Sequence, residues 1–220
     1  MTKQKVLAAI TALIVSLGLL GLFFGNLANS SDPIRVVCVG DSITEGSGYP
    51  HELDRIIGAN YEISNFGVGG STVSLKSGKP YMHQMPFQEA KARLPDIVVI
   101  MLGTNDASMA SYEHIDSFVA DYKKLINEFQ SLPSKPEVWL VKPPPIFSDM
   151  LGPMDINLEQ GVIPRIEQVA DELGLPLINV YAALVNRPEF FPDGVHPNSE
   201  GAKVIANEIE GALALARAQP

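Results

Sequence analysis

Apolar residues follow two rhythms along this 220-residue chain. Five short runs, at residues 34–39, 61–66, 96–102, 137–141 and 176–180, are largely apolar, and Ile97-Val98-Val99-Ile100-Met101-Leu102 is unbroken. Continuous rather than alternating runs are what strands covered on both faces require. Between them the spacing is helical. Over residues 111–129, Ile115, Phe118, Val119, Tyr122, Ile126 and Phe129 form one apolar stripe. Residues 155–173 predict a second helical region, with Gly161 and Pro164 as a break or a fresh start. Residues 199–216 predict a third, opened by Asn198 or Ser199 as a cap. Strands alternating with helices predict an α/β domain, a five-stranded parallel sheet between layers of helix. The chain carries no internal repeat and no low-complexity tract.

The first 30 residues follow neither rhythm. Lys3 and Lys5 precede an uncharged apolar run at residues 6–24, which as a helix would reach roughly 28 Å, close to bilayer hydrocarbon thickness. Its length suits a retained anchor; Ala28-Asn29-Ser30 suits cleavage of a signal peptide. Either way, residues 1–30 are a targeting segment and residues 31–220 one exported domain, periplasmic, cell-surface or secreted. A retained segment would hold that domain to the membrane.

Charge and cysteine content narrow the partners. The whole chain carries a formal −9 and the first 30 residues +2, which leaves −11 for the exported part. That balance excludes the basic patch needed for nucleic acid or anionic lipid headgroups, and suits a monomer acting on neutral small-molecule or glycan esters. Membrane contact is expected through the N-terminal segment alone. Cys38, the single cysteine, cannot form an intramolecular disulfide, and its place in an apolar strand predicts a buried structural thiol.

The chemistry gathers at strand ends. Gly40-Asp41-Ser42-Ile43-Thr44 follows the first run, Gly67-Val68-Gly69-Gly70-Ser71 the second, and Gly103-Thr104-Asn105-Asp106 the third. Asp193-Gly194-Val195-His196 follows the fifth. In a parallel sheet these points share the carboxyl edge, where open α/β sheets bind ligands. Ser42 is then a nucleophile, His196 its base and Asp193 the acid that orients the imidazole. The N–H groups of Ser42 and Gly70 and the Asn105 amide would receive the oxyanion. His51 and His114 lie in predicted helical segments and are expected to be surface or structural. The reading calls for no cofactor and no metal.

These four blocks, in this order, resemble the SGNH hydrolases, also called the GDSL esterase/lipase family, over about residues 34–215. The resemblance implies a flavodoxin-like three-layer α/β/α sandwich and metal-free ester hydrolysis, with Gly70 in the oxyanion position. The Gly-x-Ser-x-Gly elbow of the α/β-hydrolases is absent. Residues 78–106 are similar to the branch of sialate O-acetylesterases and carbohydrate acetylesterases, which implies a short acyl group, acetyl foremost, on a carbohydrate. Tyr81, His83 and Gln84 are candidates for a sugar-binding rim. A second rim candidate is the loop after the fourth run, with Ile146 and Phe147, whose apolar residues could equally pack on the core. A lysophospholipase or short-chain lipid esterase, a glycan O-acetyltransferase and a non-catalytic glycan-binding module are the alternatives. The acceptor separates hydrolase from transferase, and an intact triad speaks against the binding module.

Overall fold

Each of the five apolar runs forms a strand of one parallel sheet, ordered β2-β1-β3-β4-β5. The strands are β1 (Ile34–Gly40), β2 (Tyr61–Gly67), β3 (Ile97–Met101), β4 (Glu137–Val141) and β5 (Leu177–Ile178). The computed structural model describes residues 32–148 and 151–218, so the targeting segment expected at residues 1–30 lies outside the described residues. Among the described residues no helix is long and apolar enough to cross a membrane.

Alternate residues of the central strands enter two separate cores. Val37, Val39, Val98, Ile100 and Leu140 pack with Phe87, Leu125, Phe129 and Ile166 on one face. Val36, Cys38, Val99, Met101 and Val141 pack with Leu53, Leu184, Ile205 and Ile209 on the other. Both faces are dry, which is why β3 reads as an unbroken apolar run. This is the three-layer α/β/α sandwich that the pattern predicts. Cys38 is buried, and burial pushes its thiol up to about 12.

Three helical segments differ in detail from their sequence patterns. The stripe over 111–129 is interrupted: a helical turn at Met109–Tyr112 and a 3-10 turn at Ile115–Ser117 precede the main helix, Phe118–Gln130. Ser117 Oγ donates back to the His114 carbonyl at 3.1 Å, a local bond that competes with helical pairing. Residues 155–173 divide into Met154–Asn157, a π-helical turn at Leu158–Val162 and the helix Ile163–Leu173. Pro164 has no N–H to donate, and a wide turn before it accommodates the loss. The fifth strand stops at Ile178 because Asn179 caps a new helix, Val180–Leu184, its Oδ1 accepting from Ala182 N–H at 3.2 Å. For the last helix, Ser199–Ala218, Asn198 is the cap, accepting from Glu200 and Gly201 N–H at 3.0 and 3.1 Å.

The first strand and the second meet a five-residue helix, α1 (Ser42–Gly46), at unusually close range. A Cβ on Gly40 would sit 1.9 Å from Thr44 Oγ1 and 2.8 Å from the Met101 oxygen. On Gly67 it would sit 2.2 Å from the Glu45 nitrogen. Asn65 completes the joint: Nδ2 donates to the Thr44 carbonyl at 2.8 Å, and Oδ1 accepts from Gly67 N–H at 2.9 Å. Gly67→Ala places its methyl against backbone that cannot rotate away, so it is expected to cost about 1–3 kcal/mol of overpacking. Urea unfolding checks this; an unchanged midpoint would show that α1 is free to shift.

Candidate active site

Asp41 turns the chain from β1 into α1. It is buried, and its Oδ1 accepts from Ile43 N–H at 3.0 Å, so its carboxylate is committed to capping. Ser42 is thereby the first residue of the helix, at the carboxyl edge of the sheet. The loop before the last helix brings the other two groups. His196 Nε2 lies 2.8 Å from Ser42 Oγ, and His196 Nδ1 lies 2.7 Å from Asp193 Oδ2. A carboxylate only accepts, so Nδ1 carries the proton and Nε2 is free to accept one from Ser42. Residues 154 positions apart in sequence thus share a hydrogen bond.

Asp193 is ordered by its own loop. Its Oδ1 accepts from Val195 and His196 N–H at 2.9 and 2.7 Å, with Gly194 at φ +82° making the tight turn. Burial alone would push its pKa up, but these bonds and the His196 ring outweigh it and hold the carboxyl at about 2. The loop is braced from behind: Phe147 N–H donates to the Gly194 carbonyl at 2.7 Å, and the Phe147 and Phe191 rings lie 5.1 Å apart.

The second loop, Val68 to Ser71, approaches Ser42 from the side. A Cβ on Gly69 would be 3.7 Å from Ser42 Cβ. Gly70 has φ +74°, a conformation that favours glycine. Across from it, Asn105 Nδ2 donates one hydrogen to the Ser71 carbonyl at 3.1 Å, leaving its other amide hydrogen for a ligand. Next to Asn105, the buried carboxylate of Asp106 accepts from Val73 and Ser74 N–H, both at 2.9 Å. Asp106 was not legible as a functional residue from the sequence. Its position after Asn105 was the one available signal.

The rim candidates separate. Tyr81 is fully buried, and its hydroxyl donates to the Phe66 carbonyl at 2.7 Å, so it belongs to the core and not to a rim. Ile146 is likewise core, and Phe147 packs on Phe191 as a brace. Gln84 Nε2 donates to the Pro80 carbonyl of its own loop at 2.9 Å. His83 is exposed, as is His51 on its helix, whereas His114 is half-buried beside Glu113.

Burial pushes Asp41 up to about 6 and Asp106 up to about 7, each against the backbone N–H groups it accepts from. The folded protein therefore keeps these protons to higher pH than the unfolded chain, whose aspartates ionise near about 4. Their stabilising contribution is full below that value and is lost as pH rises through about 6 and about 7. Asp193 runs the other way, its contribution being lost as pH falls toward about 2. Asp106→Asn removes one of the raised groups. Between about pH 4.5 and about 7.5 its stability should fall less than that of the wild type, by on the order of 1–3 kcal/mol. Urea midpoints across that window decide; parallel profiles would remove Asp106 from the linkage.

A profile described as the GDSL-like Lipase/Acylhydrolase family matches residues 38–204. An acetylxylan esterase of Xylanibacter ruminicola is 33% identical over 212 residues, covering 84% of this chain and 44% of that protein. A GDSL esterase/lipase of Oryza sativa subsp. japonica is 20% identical over 135 residues, 52% of each. The chain thus spans about half the length of the curated relatives it matches. Among solved structures, a carbohydrate acetylesterase from Sinorhizobium meliloti superposes with TM-score 0.69 at 18% identity, covering 83% of this chain and 99% of that one. An acetylxylan esterase from Geobacillus stearothermophilus gives 0.66 at 22%, covering 82% and 94%. At those identities the likeness is one of fold. The profile, in contrast, runs from inside β1 to beyond His196, and it places the chain in the GDSL-like lipase/acylhydrolase family.

Proposed function

We propose that this protein is an exported, metal-independent serine esterase that removes short acyl groups, acetyl foremost, from carbohydrates. The observation that carries the reading is the unbroken line from Ser42 Oγ through His196 to Asp193, at 2.8 and 2.7 Å. Ser42 Oγ attacks the acyl carbonyl while His196 Nε2 takes its proton. Asp193 stabilises the imidazolium that forms, and its strongly held negative charge suits that task. The Ser42 and Gly70 N–H groups and the second Asn105 amide hydrogen receive the oxyanion. His196 returns the proton to the leaving sugar hydroxyl. Water, activated by the same nitrogen, then releases the carboxylic acid and frees Ser42.

Two observations support a carbohydrate substrate. The matched relative from Xylanibacter is named an acetylxylan esterase, and the −11 charge after residue 30 suits neutral glycans better than anionic headgroups. A lipid ester is the second reading. Met109, Leu151 and Ile156 are large apolar side chains left exposed on segments that flank the Asn105 loop, which Asn157 Nδ2 joins at the Ala107 carbonyl, 2.9 Å away. Such exposed side chains beside a site could receive an acyl chain.

Acetylated xylo-oligosaccharides, p-nitrophenyl acetate and longer-chain esters, assayed side by side, test both readings. Ser42→Ala should lose about five to six decades of rate, and Asn105→Ala about 10²–10³ in kcat. Unchanged hydrolysis by Ser42→Ala would sink the mechanism. A preference for long acyl chains over acetyl would favour the lipid reading.

A further inference from the structure

The Gly70 N–H belongs to a peptide unit whose other end is the Gly69 carbonyl. That carbonyl accepts a hydrogen bond from Lys79 Nζ at 2.7 Å. Nitrogen and oxygen of one peptide are conjugated. A cation on the oxygen draws electron density from the nitrogen and makes its N–H a stronger donor. We propose that Lys79 is a positioning residue of this site, polarising the 69–70 peptide from behind so that Gly70 N–H better stabilises an oxyanion. The proposal rests on the esterase reading above.

The surroundings fix both partners. The Lys79 backbone is tied down at each end: its N–H donates to Ser77 Oγ at 3.2 Å, and its carbonyl accepts from Thr72 N–H at 3.1 Å. The side-chain stem runs beside Gly70, where a Cβ would lie 3.9 Å from Lys79 Cδ. Gly69 is gripped from its other end as well, its N–H donating to Glu45 Oε2 at 3.0 Å. Glu45 acts on the preceding peptide unit, and its negative charge opposes an oxyanion. Lys79 places the opposite charge on the unit that would meet the oxyanion. The carboxylate thus orients Gly69, and the ammonium both orients and polarises the donor that follows.

The ammonium faces solvent, so its field is open to screening by salt. A loop tie that only orders residues 68–79 would show no such dependence. With p-nitrophenyl acetate, Lys79→Met is expected to lower kcat about 5–30-fold, less than loss of a donor itself, with KM moved less than about twofold. Lys79→Arg should recover most of that loss, since it keeps the charge and can donate to the same carbonyl. Wild-type kcat should fall between about 10 and about 500 mM salt while that of Lys79→Met stays flat. Exposure of the side chain predicts unchanged melting midpoints for both variants.

A readout without turnover separates this proposal from the esterase reading. The Gly70 amide proton should move upfield in Lys79→Met, as a weaker donor requires, whether or not the protein hydrolyses the ester. If wild type and Ser42→Ala were equally inactive while that resonance still responded, the esterase reading would fail and the polarisation would stand. The proposal is overturned if Lys79→Met keeps kcat within twofold, if Lys79→Arg loses as much as Lys79→Met, or if the Gly70 resonance stays in place.

Discussion

Two backbone N–H groups from the loop after β2, those of Val73 and Ser74, end on the carboxylate of Asp106 in the loop after β3, each at 2.9 Å. The segment that carries them has little regular structure of its own, a single bridge between Thr72 and Pro80. Each such hydrogen bond contributes about 0.5–1.5 kcal/mol, and a buried N–H left unpaired costs about 1–3 kcal/mol. The clasp is therefore strong enough to set where one loop lies against the other. Asn105 is its covalent neighbour and donates to Ser71, the residue after Gly70. The spacing between Asn105 and Gly70, which any oxyanion site built from them needs, follows from Asp106.

A second constraint acts on the Ser42 side, and it is steric. Gly40 and Gly67 let β1 and β2 run against α1 with no room for a methyl group. Asn65 then fastens Thr44 to Gly67. The loop carrying Asp193 and His196 is also closely packed, since a Cβ on Gly194 would sit 2.7 Å from Ser148 Cβ, yet its two side chains face outward. The His196 and Asp193 side chains remain 47% and 57% exposed, so Asp193 owes its ionised state to donated hydrogen bonds rather than to a buried counter-charge. Among the described residues nothing fully covers the Asp193 and His196 side chains from water. A bound substrate would have to supply that cover.

The parts of this arrangement that were legible in the sequence share one property: they follow from periodicity along the chain. Runs of apolar residues placed all five strands, and strand ends placed Ser42, Gly70, Asn105, Asp193 and His196 on one edge. Cap chemistry narrowed the start of the last helix to Asn198 or Ser199, and the structure uses Asn198. What stayed hidden depends on contacts between distant segments. Apart from its place after Asn105, nothing local distinguishes Asp106, which binds backbone groups more than 30 positions away, from an ordinary turn aspartate. Tyr81 read as a rim residue because it shares a loop with His83 and Gln84, yet its ring fills the core and its hydroxyl has a partner at Phe66. The helix break at Ser117 was likewise invisible, since the stripe it interrupts keeps its phase on either side.

Asp41, Asp106 and Asp193 all border the site, and their environments divide the work among them. Asp41 is next to Ser42 in sequence but is buried and bound to Ile43 N–H, with its carboxyl pushed up to about 6. Asp106 is next to Asn105 and is pushed up to about 7 by burial. Asp193, the most distant of the three from Ser42 in sequence, is held at about 2 and reaches the imidazole. An orienting acid must stay ionised while a proton passes through its partner histidine, and at neutral pH Asp193 meets that condition by the widest margin. The two buried acids instead hold backbone in place, Asp41 at the start of α1 and Asp106 across the two loops. Proximity in sequence to a reactive residue therefore says little about which carboxylate assists it. The count and kind of hydrogen bonds that each carboxylate accepts, set against its burial, decide the division of labour.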